Sequence, residues 1–154
     1  LIVTQGPKGE IERRLAYPGV DIQLKDSAII LKTKKDTRNQ KRILGTFSSH
    51  IKNMIKGALQ GYEYKLKICS GHFPMKVTTE KDNVVISNFL GEKVPRKAKI
   101  LLGASVKIDR DIIFVSGSDK EKVGQTAANI ERATIIRNRD RRVFQDGCFL
   151  MKDG

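Results

Sequence analysis

The 154-residue chain predicts an α+β fold of two tandem duplicated domains, each an antiparallel β-sheet packed against one α-helix. Three observations carry this. Short segments alternate apolar and polar residues between turn residues, the period of half-buried strands. Two other segments repeat their apolar residues every three or four positions, the period of a helix with one buried face. Finally, residues 19–33 (GVDIQLKDSAIILKT) resemble residues 103–117 (GASVKIDRDIIFVSG), each a glycine, an alternating strand, a charged turn and an apolar strand, with a helix following. Gly45 and Ile51 in the first helix stand six residues apart, as Gly124 and Ile130 do in the second. An ordered block repeated in this way signals internal duplication. Neither half can bury its sheet without its own helix.

In order, LIVTQ (1–5) and EIERRLAY (10–17) read as strands around the turn Gly6-Pro7-Lys8-Gly9, and Pro18-Gly19 makes the next turn. VDIQL (20–24) and AIILKT (28–33) form a hairpin around Lys25-Asp26-Ser27. The first helix begins near Asp36, where an acid suits the N-terminal dipole, and ends at 57–61 in GALQG. Its stripe is Ile43, Leu44, Phe47, Ile51, Met54, Ile55, Ala58 and Leu59. Strands follow at 62–69, 74–79, 83–90 and 97–102, with Glu80-Lys81-Asp82 as a hairpin tip. A second hairpin, 105–109 with 111–117, leads into the second helix, whose stripe is Val123, Ala127 and Ile130. CFLMK (148–152) returns as a last edge strand. The expected domains are 1–60 and 61–154.

The formal net charge is +13, with twelve Lys and Arg against five Asp and Glu in residues 1–60 and eighteen against twelve in the rest. An excess spread over both halves calls for an anionic partner, nucleic acid or a membrane surface. No apolar run approaches the length of a membrane span, and no signal peptide is visible. Cys69 and Cys148 are read as free thiols, one in each of two strands, in a reducing compartment. With His50 and His72 they make no zinc-ligand spacing, so neither a metal nor another cofactor is expected. No nucleophile, base and orienting group are grouped as an enzyme would need, so no catalytic residue and no small-molecule substrate are assigned.

One stretch imitates a nucleotide-binding loop. In GSDKEKVGQTAANIE (117–131) two glycines bracket lysines, but Gly117 and Gly124 are seven apart and Gln125 stands where a phosphate-binding lysine belongs. Capping by Ser118 or Asp119 explains the start, and Gly124 is expected to permit close helix–sheet packing. A third reading keeps a phosphate but takes it from an RNA backbone, held by helix amides with Lys120 and Lys122. Three basic runs favour RNA: KKDTRNQKR (34–42), KVPRKAK (93–99) and RNRDRR (137–142). Arginine's planar fork suits phosphate and stacked bases. No helix-turn-helix pattern and no aromatic-rich sheet motif is visible, which points to structured RNA read by shape and backbone.

The segments VTQGPKGEIERRL, GTFSSHIKNMIKGALQGYEYKLKI, HFPMKV, GSDKEKVGQTAANIE and RNRDRRVFQDG, spanning nearly the whole chain in order, resemble the large-subunit ribosomal protein six family, numbered nine in eukaryotes. The last segment is close to the eukaryotic and archaeal form. Arg132 stands where that form often has Gln and is expected to add a phosphate contact; Cys148 stands where it often has Ile. A further short N-terminal strand region is usual in the family, so this copy is expected to be truncated or divergent there. The resemblance implies two duplicated α+β domains in the cytoplasmic ribosome, neighbouring large-subunit proteins as partners, and rRNA bound mainly by the second domain near the factor-binding side and the sarcin–ricin region. It implies an RNA surface at the HFPMK loop (His72, Phe73, Lys76), the GEKVPRKAK loop (Lys93, Arg96, Lys97, Lys99) and the start of the second helix (Lys120, Lys122, Gln125). Charge alone adds Arg137, Arg139, Arg141 and Arg142. The alternative reading is a basic scaffold that mainly binds protein within a ribonucleoprotein assembly.

Overall fold

Strand pairing starts at the first turn. The structure, a computed structural model, describes residues 1–151. β1 (Ile2–Gly6) pairs antiparallel with β2 (Gly9–Arg13), and β3 (Val20–Lys25) with β4 (Ala28–Thr33). The expected strand at 10–17 thus stops at Arg13. α1 (Arg38–Leu59) starts two residues later than the acid at position 36 suggests. Thr37 is its N-cap, and its side chain accepts a hydrogen bond from the Gln40 amide at 3.3 Å. Asp36 instead pairs with Lys41 at 3.0 Å. Phe47, Ile51, Met54 and Ala58 bury one face of α1, and Ile11 of β2 is the buried strand residue of this unit, which spans Leu1–Gln60.

The second unit, Gly61–Gly154, holds the larger core. It contains β5 (Tyr62–Cys69), β6 (Lys76–Glu80), β7 (Asn83–Ser87), β8 (Arg96–Lys99), β9 (Ala104–Asp109), β10 (Ile112–Gly117), α2 (Lys120–Ala133) and β11 (Gly147–Leu150). All pairs are antiparallel, and the strands divide between a four-stranded sheet, β11-β5-β10-β9, and a three-stranded sheet, β6-β7-β8. The strand expected to run through residue 90 ends at Ser87, because Asn88 (φ 58°) and Leu90 (φ 50°) turn the chain through the left-handed region. The last strand lies at the sheet edge; Lys152, its expected final residue, is outside the described residues.

The inner faces meet at Leu66, Val84, Ile86, Phe89, Ile113, Val115 and Cys148, with Val123, Ala127 and Ile130 of α2 packed on them. Each fully buried Val, Leu, Ile or Phe contributes roughly 1.5–3 kcal/mol. Cys148 is fully buried, and burial, reinforced by Cys69, pushes its thiol up to about 12. It serves as a small apolar side chain. The outward amides of edge strand β11 are taken from above: Cys148 donates to Thr134 Oγ1 at 3.0 Å and Leu150 to Glu131 Oε1 at 3.4 Å. These bonds cap an edge that would otherwise template another strand.

The duplication is visible in the hairpins. β3–β4 and β9–β10 each pair six residues across a two-residue turn. Asp26 (φ 50°) and Arg110 (φ 49°) open these turns in the left-handed conformation that tight hairpins require. Gly19 and Gly103, at φ +82° and +94°, stand just before each hairpin.

The two glycines of the nucleotide-loop imitation have different tasks. A Cβ on Gly117 would lie 2.5 Å from the Gly103 carbonyl oxygen and 2.9 Å from Val123 Cγ2, so the close approach belongs there. A Cβ on Gly124 would meet only Tyr64 Cε2, at an ordinary 3.8 Å, so close packing does not require this glycine. Gly124→Ala is therefore expected to stabilise the chain by about 0.5–1 kcal/mol through helix propensity, read as a rise in the urea midpoint. Lowered stability would mean the site is tighter than this geometry.

Candidate nucleic-acid interface

The expected residues fall into three groups, all in the second unit. The first is the three-stranded sheet. Cross-strand partners share a face and neighbours along a strand alternate. Lys97 opposes Val85, which opposes Thr78; Lys99 opposes Asn83, which opposes Glu80; Lys76 opposes Ser87. Lys76, Lys97 and Lys99 therefore stand on one face, opposite the buried face of Val84, Ile86 and Ala98. All three are exposed, as is Lys93 in the loop before β8.

Arg96 belongs to the other face of β8 and is turned inward. Its Nε and Nη2 donate to both carboxylate oxygens of Glu92, at 2.8 and 2.6 Å. Its Nη1 donates to the carbonyls of Ala133 and Ile135 at 2.9 and 3.0 Å, and the guanidinium lies 4.4 Å from the Phe89 ring centroid. Its fork already ties the end of α2 to the loop before β8, a structural clamp where the sequence suggests a phosphate ligand. The Arg96 side-chain bond holds the Glu92 carboxyl below its ordinary value against the opposing effect of burial.

The second group surrounds the start of α2. Lys99, Lys122 and Lys81, a residue sequence reasoning assigned only to a hairpin tip, line one cleft beside the 100–106 segment. Thr126 fixes that segment by accepting from the Leu101 amide (3.2 Å) while donating to the Lys122 carbonyl (2.8 Å). Gln125 donates to Asn129, which donates to the Lys99 carbonyl, so Gln125 braces β8 against α2. The helix start itself is acidic. Asp119 caps α2 and accepts from the Glu121 amide at 2.9 Å, with Glu121 in the first turn. This carboxylate occupies the place at the helix dipole where the backbone amides were expected to hold phosphate. Lys120 lies 5.8 Å from the Tyr62 ring centroid and Lys122 is exposed.

The third group joins the HFPMK loop to the arginine run. Asp146, its side chain 3% exposed, accepts from the His72 amide at 3.2 Å and bonds His72 Nδ1 at 3.1 Å. The His72 ring lies 4.7 Å from the Phe144 centroid, and the Arg139 guanidinium lies 4.9 Å from it. Phe73 and Arg137 are exposed. Arg142 is engaged with Asp140, while Arg141 and Arg132 line an open cleft of about 970 Å³ beside His72. Burial pushes the Asp146 carboxyl up, but the His72 side-chain bond and the His72 and Gly71 amides outweigh it and hold it below its ordinary value. A depressed carboxylate stabilises the fold above the unfolded value, about 3.9, and that contribution is lost as pH falls through the folded value. Wild-type stability is thus expected to fall more steeply below about pH 4 than that of Asp146→Asn, in urea titrations at several pH values. Parallel curves would contradict this. Among the described residues, no three His, Cys, Asp or Glu are grouped to hold a metal ion, and no helix is long and apolar enough to cross a membrane.

The family description Ribosomal protein L6 matches residues 1–61 and 73–147, most of both units. The chain belongs to the ribosomal protein L6 family. Its L6 relatives include the large ribosomal subunit protein uL6 of Methanococcus vannielii, 47% identical over 152 residues, covering 99% of this chain and 83% of the relative. The uL6 of Methanosarcina mazei is 46% identical, covering 99% and 86%. That of Methanobrevibacter smithii is 47% identical over 150 residues, covering 97% and 84%. The matched segments hold the His72 loop from Phe73 onward, the β8 lysines, α2 and the arginine run. These L6 proteins are structural parts of the ribosome, not enzymes.

Proposed function

We propose that this L6-family chain is a structural constituent of the large ribosomal subunit whose second unit binds rRNA near the factor-binding and sarcin–ricin region. The observation that carries the reading is the shared outward face of Lys76, Lys97 and Lys99, continued by Lys81 and Lys122 around the adjoining cleft. None of these five makes an ion pair among the described residues, so their charge is available to phosphate. Lys93, Lys120 and the arginines at 137, 139 and 141 extend the surface, with His72 and Phe73 as polar and stacking groups. Such a surface reads backbone geometry more than base sequence. Neighbouring large-subunit proteins are the further partners of the assembled particle, and translation in the cytoplasm is the process it supports.

The test is filter binding of the full chain to a large-subunit rRNA fragment carrying the sarcin–ricin region, against an unrelated structured RNA and duplex DNA of equal length. Tighter binding to the rRNA fragment, weakening linearly in log salt, is expected. Equal affinity for all three would leave only general polyanion binding and favour the protein scaffold.

A further inference from the structure

The face of the four-stranded sheet opposite its buried Leu66, Ile113 and Cys148 carries a second, differently built surface, at whose edge Phe149 also lines the cleft of Arg132 and Arg141. On the four-stranded sheet Phe114 of β10 opposes Lys65 of β5 on one side and Lys107 of β9 on the other. One row along, Lys67 of β5 lies between Ile112 of β10 and Phe149 of β11. Partners across strands share a face, so both phenylalanines and all three lysines point the same way, opposite the buried Leu66, Ile113 and Cys148. Phe149 is 42% exposed, Lys67 and Lys107 are exposed, and Lys65 reaches over Phe114 with its Nζ 6.0 Å from the ring centroid. The two phenylalanines stand two strand spacings across and two residues along, about 12 Å apart. Two acids share the face, Glu63 and Asp109, but none of the three lysines is ion-paired among the described residues. No aromatic-rich motif is visible in the sequence because Phe114 and Phe149 lie thirty-five positions apart; the pairing of β11 with β5 brings them to one face.

We infer that this face binds an unpaired stretch of RNA, with bases stacked on Phe114 and Phe149 and phosphates held by Lys65, Lys67 and Lys107. Flat aromatic rings spaced by cations match the alternation of base and phosphate in a single strand. A paired helix hides its base faces in its own stack and has nothing to lay on these rings. The charge also favours an RNA strand over an apolar protein segment. The inference rests on the RNA reading above and adds a surface to it, on a different sheet from the lysine face of β6-β7-β8.

The chain contains no tryptophan, so Phe114→Trp places a single reporter on this face. With the full-length variant, a short single-stranded oligouridylate or oligoadenylate is expected to quench and shift its emission, whereas a duplex RNA of equal length is not. Lys67→Glu/Lys107→Glu, two exposed positions, is expected to weaken oligonucleotide binding at least tenfold in a wild-type background. This arm needs no ring substitution, so it decides the matter if the Trp variant folds poorly. Binding to the rRNA fragment with unchanged Trp emission and unchanged oligonucleotide affinity in the double variant would overturn this surface and leave the rRNA reading intact. Quenching by an acidic peptide in place of RNA would also overturn it. Stacking of the single strand without preference for the rRNA fragment would keep this face and sink the other.

Discussion

Arg96→Ala is expected to lower the stability of the second unit by about 2–4 kcal/mol. The truncation removes two hydrogen bonds to the carbonyls of Ala133 and Ile135, the two bonds to Glu92 and the contact over Phe89. Bonds from a charged donor contribute roughly 1.5–3 kcal/mol each, and a partly buried carbonyl left without a donor adds to the loss. The Glu92 pair is discounted, since its carboxylate side chain is 40% exposed and exposed ion pairs contribute at most about 1 kcal/mol. Arg96→Lys keeps the charge but not the fork and is expected to recover less than half of the loss. Urea unfolding followed by hydrogen exchange at the Val84 and Ile86 amides reads this unit directly. Unchanged midpoints would mean that Arg96 is not a clamp, and the residue would return to the RNA surface.

Lys81→Glu/Lys99→Glu/Lys122→Glu is expected to weaken rRNA-fragment binding roughly a hundredfold near physiological salt, with little change in stability. These residues line one cleft, and each phosphate contact contributes about 0.7–0.9 to the slope of log affinity against log salt. Removing three contacts should flatten the slope by about 2–3. A parallel slope with unchanged affinity would place the RNA elsewhere on the chain. Lys81 is the informative member, because single reversal of a hairpin-tip lysine leaves the packing of α2 and β8 untouched.

The strands and helices were legible wherever a period ran uninterrupted: Val123, Ala127 and Ile130 mark the buried face of α2, and the alternation of 105–109 marks β9, which begins one residue earlier. Boundaries were less legible where local chemistry overrides pattern. Thr37 outcompetes Asp36 as a cap because its hydroxyl reaches the Gln40 amide, and Asn88 ends β7 by adopting positive φ in a run that still looks apolar. The charge clusters indicated a nucleic-acid partner but not which charges are free. Arg96 and Lys97 are adjacent in a basic run, yet strand alternation sends one to a clamp and the other to the surface. Alternation within KVPRKAK was available to make that distinction. Contacts between distant segments carried no comparable signal: Asp146 with His72, Lys81 beside Lys122, Phe114 on the same sheet face as Phe149.

The lysine face of the second unit is proposed to lie against rRNA in the assembled particle. Residue-mapped RNA–protein cross-linking in large subunits containing this chain tests it most directly. Cross-links are expected in the peptides carrying Lys97 and Lys99, Lys122, and residues 72–76, with the same lysines shielded from acylation in the particle and reactive in the free chain. Cross-links confined to residues 1–60, with those lysines equally reactive in both states, would contradict it.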